Sequence, residues 1–136
     1  MNAKNRLHLA TAAIVDTSGR CLLVRKRGTT HFMQPGGKIE AGEAPVQALK
    51  RELFEELNFD ISGLDPVWVA RLSDVAVNEP DTSLVAEVFI IKTGTDTFTP
   101  AAEIEEVIWF DPRVESSYLL APLTEHQILP MLRTSH

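Results

Sequence analysis

The sequence predicts an α/β (α+β) fold in one domain covering residues 1–136, with helices packed on the faces of a mixed β-sheet. Three observations predict it. The apolar pattern passes from strand-like runs to a stripe of helical period and back, in the order strand, strand, helix, several strands, helix. Clusters of Gly, Pro, Asn and Asp stand between the runs. The chain is 136 residues long and 44% apolar, one domain's length and enough to bury a core without disulfide staples.

Residues 7–15 read as a strand, Asp16, Thr17, Ser18 and Gly19 as a turn, and residues 21–27 as a second strand, so the chain opens with a hairpin. Lys4 and Arg6 ahead of this run also suggest a secretory leader, but His8 and Thr11 interrupt the apolar stretch and favour the strand. Residues 28–42 contain Pro35, Gly36, Gly37 and Gly42 and form a loop with at most a short extended piece. Residues 44–57 form a helix, with Val46, Leu49, Leu53 and Leu57 on one stripe and Pro45 in the first turn, where its missing N–H is not needed. Asn58 suits the left-handed residue that often ends a helix. Strands follow at 67–72, 84–92 and 107–110, divided by loops at 78–81 and 93–100. A second helix is expected at 123–132 despite Pro130, and Trp68 and Trp109 are expected in the core.

A formal net charge of −6 excludes a non-specific binder of nucleic acid polymers, which needs a basic surface. The charge divides unevenly: residues 1–38 carry seven Lys/Arg and one Asp, residues 39–136 six Lys/Arg and eighteen Asp/Glu. No apolar run approaches the roughly 18–20 residues of a membrane helix, so no membrane partner is expected. A single cysteine, Cys21, cannot close an intramolecular disulfide, and a reduced, cytoplasmic setting is expected. On a strand with no activating neighbour, it reads as a buried thiol and not a nucleophile.

On an ideal wheel of about 100° per residue, Glu55 and Glu56 lie roughly 60° and 40° to either side of Glu52, so three carboxylates share an arc of about 100° beside the apolar stripe. Like charges at i,i+4 cost a helix roughly 0.2–0.5 kcal/mol per pair. A hard divalent cation relieves that repulsion: Mg²⁺ takes carboxylate oxygens, keeps several waters and completes its shell with substrate phosphate. The plainer alternative is a solvated acidic face on which Arg51 pairs with Glu55 at i,i+4.

The surrounding residues decide between the two. Gly37, Glu43, Arg51, Glu52, Glu55 and Glu56, with apolar Leu53 and Phe59, stand at the spacing of a 23-residue signature, preceded by Pro35-Gly36-Gly37, Glu40 and Gly42. This segment resembles the Nudix box, and the chain resembles a compact, MutT-like member of the Nudix hydrolase superfamily. Asn58 replaces the usual Gly and, as the next best residue at positive φ, preserves the turn. The resemblance implies an α/β/α sandwich and a divalent-metal-dependent hydrolase of a nucleoside diphosphate linked to another moiety, with Mg²⁺ as cofactor and Mn²⁺ as a substitute. It implies that Glu52, Glu55 and Glu56 ligate the metal, that Glu52 also lies near the attacking water, and that Arg51 orients the cluster with Glu43. Gly37 and Gly42 let the loop bend, Gly37 bringing its backbone to the metal.

In many relatives a Glu from a late loop adds a base or ligand; Glu103, Glu105 or Glu106 is the candidate here, the alternative being an exposed acidic loop. Arg25 and Arg27, two apart on a strand, share a face and are candidates to meet substrate phosphates, the alternative being ordinary surface charge. Of His31, Phe32, Met33 and Gln34, ahead of the Gly-rich turn, an aromatic such as Phe32 is a candidate base contact, the alternative being packing under the loop. Gly36 and Gly37 border the substrate. Gly36-Gly37-Lys38 is not a P-loop, because Ile39 stands where Ser or Thr is needed.

The expected reaction is cleavage of a (d)NTP or oxidised (d)NTP to the monophosphate and pyrophosphate, by a monomer or homodimer. ADP-ribose or another nucleoside diphosphate sugar is the alternative substrate. A proline about 16 residues after the box would favour ADP-ribose, and position 75 is Val. A non-catalytic nucleotide- or partner-binding Nudix domain is the alternative of another class; such domains usually lose an acidic ligand, and this chain retains all of them.

Overall fold

The computed structural model describes residues 5–75, 80–94, 97–114 and 116–134. Its elements are β1 (Asn5–Val15), β2 (Cys21–Lys26), β3 (Gly36–Lys38), α1 (Pro45–Leu57), β4 (Val67–Val75), β5 (Thr82–Lys92) and β6 (Ile104–Phe110). A π-helical turn (Thr124–Ile128) then leads into α2 (Leu129–Thr134). The order matches the expectation, and most strands extend a few residues beyond the apolar runs. Residues 78–79 and 95–96 of the expected loops lie outside the described residues.

The sheet runs in the order β4-β5-β1-β2-β6 and is mixed: β1 lies parallel to β5 and antiparallel to β2. Alternation along β1 makes both faces apolar. Ala10, Ala12 and Ile14 meet Leu49, Leu53 and Leu57 of α1, while Ala13 and Val15 meet Leu123, Ile128, Leu129 and Leu132 of the C-terminal helical segment. Helices on both faces make this the expected α/β/α sandwich.

One irregularity creates the site. β1 and β2 pair only at Val15↔Cys21. Farther along, β3 takes the β1 edge, from Leu9↔Lys38 to Thr11↔Gly36, and Met33 bridges Val24. The loop between β2 and α1 is thereby drawn into the gap where the hairpin strands diverge.

α1 departs from the expected stripe. Val46 is 41% exposed, whereas Ala48, Leu49, Leu53, Glu56 and Leu57 are buried. The buried arc is turned toward the glutamates, which leaves the first-turn Val46 outside it. Asn58, at φ 52° and ψ 31°, reverses the chain as expected, and the Phe59 N–H closes on the Leu53 carbonyl at 3.2 Å, returning Phe59 to the core.

Trp68 is not in the core: on edge strand β4 it is 53% exposed, and its indole N–H donates to Glu87 at 2.9 Å. α1 packs chiefly on β1 and β3, and the ring stays on the surface. Trp109 does pack against the core beside Phe98. Cys21 is fully buried, which pushes its thiol pKa up to about 12. The C-terminal helical segment accommodates Pro130 through the π turn, where the Leu129 N–H reaches back five residues to Thr124. The wider turn immediately precedes the proline, whose missing N–H leaves one carbonyl of the preceding turn without its donor.

Candidate active site

A cavity of about 430 Å³ opens where β1 and β2 diverge. Its charged end is lined by Lys26, Lys38, Glu40, Arg51, Glu52, Glu56 and Glu103; its apolar end includes Leu7, Leu9, Leu84, Ala86 and Leu123.

Glu52 and Glu56 reach this cavity from one face of α1. Glu56 is 3% exposed, and its Oε1 accepts the Gly36 N–H at 3.0 Å. Burial, opposed by that hydrogen bond and reinforced by the Glu52 charge, raises its pKa from 4.5 to about 8. Glu52 is also raised, first by burial and then by the charge of Glu55. The glycines explain how the backbone comes so near: a Cβ on Gly37 would overlap the Glu52 carboxylate, and one on Gly36, at φ +144°, the Ala10 carbonyl.

Arg51 ties the loop to the helix. Its Nε and Nη2 donate to the two Glu43 oxygens at 3.0 and 2.9 Å, Nη2 also to the Lys38 carbonyl at 3.0 Å, and Nη1 to Glu52 at 3.2 Å. The Arg51 hydrogen bond and the Glu40 N–H hold Glu43 down to a pKa of about 2. Gly42, at φ +78°, makes the turn that brings Glu43 round.

Other expected residues lie elsewhere. Glu55 is exposed, 3.9 Å from Arg51, and does not line the cavity. Arg25 pairs with Glu106 at 2.7 Å and Arg27 with Glu105 at 3.5 Å, both outside it. Lys26, one residue from each, points in and lies 3.3 Å from Glu103. Alternation is the reason: two arginines two apart do share a side, but it is the side away from Val24 and Lys26. Phe32 packs beneath Tyr118, ring centroids 5.0 Å apart, so Met33 and Gln34 line the cavity in its place. Lys26 was not singled out in the sequence; the parity of Leu22 and Val24, which pack toward α1, could have identified it.

A family model described as the NUDIX domain matches residues 6–130. This chain belongs to the Nudix family. Among its relatives, an 8-oxo-dGTP diphosphatase of Proteus vulgaris is 34% identical over 103 residues, 73% of this chain and 88% of the relative. The 8-oxo-dGTP diphosphatase of Escherichia coli is 31% identical over 80 residues, 56% of this chain and 58% of the relative. The fold is shared with the E. coli dihydroneopterin triphosphate pyrophosphohydrolase (TM-score 0.77, 17% identity, 94% of this chain and 97% of that one). It is likewise shared with the MutT protein of Methanosarcina mazei (TM-score 0.77, 19% identity, 98% and 96%).

Nudix hydrolases generally require a divalent metal ion. The donors in this Nudix site fit one of the hard kind. Glu52 and Glu56 offer oxygen only, and both carry raised pKa values that a cation would relieve. Among the described residues no three acidic, His or Cys side chains form a closed metal cage.

Proposed function

We propose that this Nudix protein hydrolyses nucleoside triphosphates, oxidised deoxynucleotides included, adding water across the bond between the α and β phosphates to release the monophosphate and pyrophosphate. It acts as a hydrolase of phosphoanhydride bonds. The observation that carries this reading is a single cavity of about 430 Å³ lined both by the Glu52 and Glu56 carboxylates and by apolar side chains that include Leu7, Leu9, Leu84 and Leu123. The Proteus relative, matched over 88% of its length, supports it.

Glu52 and Glu56 would hold Mg²⁺, or Mn²⁺ in its place, with Glu55 at the outer side of the same helix. When bound, the ion neutralises charge on phosphate oxygens and lowers the pKa of a bound water. Lys26 and Lys38 face the same phosphates. Glu52, its pKa raised by burial and by Glu55, takes the proton of the attacking water, and Glu103 is the late-loop carboxylate at hand. Arg51, braced by Glu43, keeps the Gly-rich loop and Glu52 in register.

The test is a screen of dGTP, 8-oxo-dGTP, dihydroneopterin triphosphate and ADP-ribose with Mg²⁺ or Mn²⁺, following pyrophosphate and monophosphate separately. Release of pyrophosphate from a triphosphate is expected; turnover of ADP-ribose alone overturns the reading.

A further inference from the structure

The apolar end of the cavity is a chamber, and one of its walls is formed by three neighbouring strands. Leu7 and Leu9 of β1 stand in register beside Leu84 and Ala86 of β5, and Val75 extends the wall from β4. Alternation turns the residues between them to the opposite face of the sheet. There the same strands carry His8, Glu87, Trp68 and Arg71.

These four side chains meet at one carboxylate. Glu87 is 2% exposed, and both of its oxygens are engaged. Arg71 donates its Nε–H to Oε2 at 2.7 Å, and Trp68 its indole N–H to Oε1 at 2.9 Å. His8 Nε2 lies 2.7 Å from Oε2 and, facing a carboxylate, carries the proton. Burial pushes the Glu87 pKa up, but the hydrogen bonds from His8, Trp68 and Arg71 outweigh it and hold the carboxyl below its usual 4.5.

A β-bulge makes the arrangement possible. Trp68 pairs with Phe89 and Ala70 with Val88, so Val69 is an extra residue, and Trp68 and Arg71, three apart, reach the same face as Glu87. The donors come from β1 on one side of β5 and from β4 on the other. A buried, fully paired charge therefore clamps three strands behind the chamber wall, where losing one partner would leave the carboxylate uncompensated.

Resting on the nucleotide reading above, we propose that Glu87 is a positioning residue: with His8, Trp68 and Arg71 it fixes the strands behind the apolar wall, and thereby how the chamber holds substrate, while the carboxylates of α1 act independently of it.

Turnover of dGTP with Mg²⁺ gives KM and kcat, and calorimetric titration with dGMP reads the chamber without turnover. Glu87→Gln and Arg71→Met should each raise KM and the dGMP dissociation constant roughly 3–30-fold, with kcat within about threefold of wild type. Arg71→Lys still offers Glu87 a cationic donor and should stay close to wild type in all three. A merely structural role would reduce the amount of folded enzyme, and so kcat, leaving KM in place. Trp68 supplies a second readout. The chain has two tryptophans, so in Trp109→Phe the emission of Trp68 is observed alone, and dGMP should shift or quench it although the ring lies on the far face of the wall. Unchanged KM and dissociation constants in folded Glu87→Gln and Arg71→Met, a fall in kcat at constant KM, or Trp68 emission unmoved by saturating dGMP overturns the proposal. If Glu87→Gln fails to fold by circular dichroism, the Arg71→Met and Arg71→Lys pair decides. Binding of dGMP without hydrolysis of dGTP would refute the hydrolase reading and leave the dissociation constants and the emission to judge the clamp.

Discussion

Replacing Glu56 by Gln separates what this residue costs the fold from what it gives the site. Its pKa rises from 4.5 to about 8, chiefly through burial. The folded protein thus holds the proton more tightly than the unfolded chain. That contribution to stability is fully present below about pH 4.5 and is lost as the pH climbs to about 8. At about 1.4 kcal/mol per pH unit, the shift amounts to roughly 4–5 kcal/mol for the metal-free protein. Gln keeps the size of the side chain and an oxygen for the Gly36 N–H, and it does not ionise. Urea unfolding in EDTA, followed by circular dichroism from about pH 5 to about pH 8.5, should show Glu56→Gln gaining several kcal/mol on wild type as the pH rises. Saturating Mg²⁺ should narrow that gap by stabilising wild type. Turnover of the variant should fall at least about 100-fold, since charge neutralisation at the phosphates is worth several kcal/mol. A stability difference that does not change with pH, or turnover close to wild type, would refute the reasoning.

Gly37→Ala should lower kcat/KM at least about tenfold while leaving the melting temperature close to wild type, because the new Cβ displaces the Glu52 carboxylate; unchanged kinetics would mean that the carboxylate can move away at no cost. Arg51→Lys loses the two-pronged hold on Glu43 and should cost about 10–100-fold in kcat/KM, with circular dichroism unchanged. In the folded protein Cys21 should resist a disulfide reagent near pH 8 and react once urea is added. Because its pKa rises from 9 to about 12, stability should also decline as the pH rises through that window, less steeply in Cys21→Ala. Removal of divalent metal with EDTA should weaken nucleotide binding at least about tenfold by calorimetry, and equal affinity with and without metal would contradict the site as drawn.

The helix carrying Glu52 and Glu56, its left-handed end at Asn58 and the Arg51–Glu43 pairing were legible because each depends on neighbours within about fifteen residues. Which cation enters the site was not. Arg25 and Arg27 carry the more conspicuous charge, yet Lys26 faces the cavity, because strand parity assigns sides only once a partner fixes which side is inward. Phe32 lost its expected place for a similar reason. The ring packs under Tyr118, and that contact depends on the path of a segment 86 residues away.

By itself, the sequence determined the element order, the acidic face of α1 and the glycines that let the loop approach it, all consequences of local periodicity and backbone sterics. Only the tertiary structure decided how far α1 rolls into the sheet. That roll buries Glu56 and leaves Glu55 in solvent, although the two differ by a single position on one wheel. It also decided that β1 and β2 diverge, opening the chamber, and that Thr124 meets Gln34 across ninety residues. These are long-range contacts, fixed by how two helices and one loop share the faces of a single sheet. No local pattern encodes that arrangement.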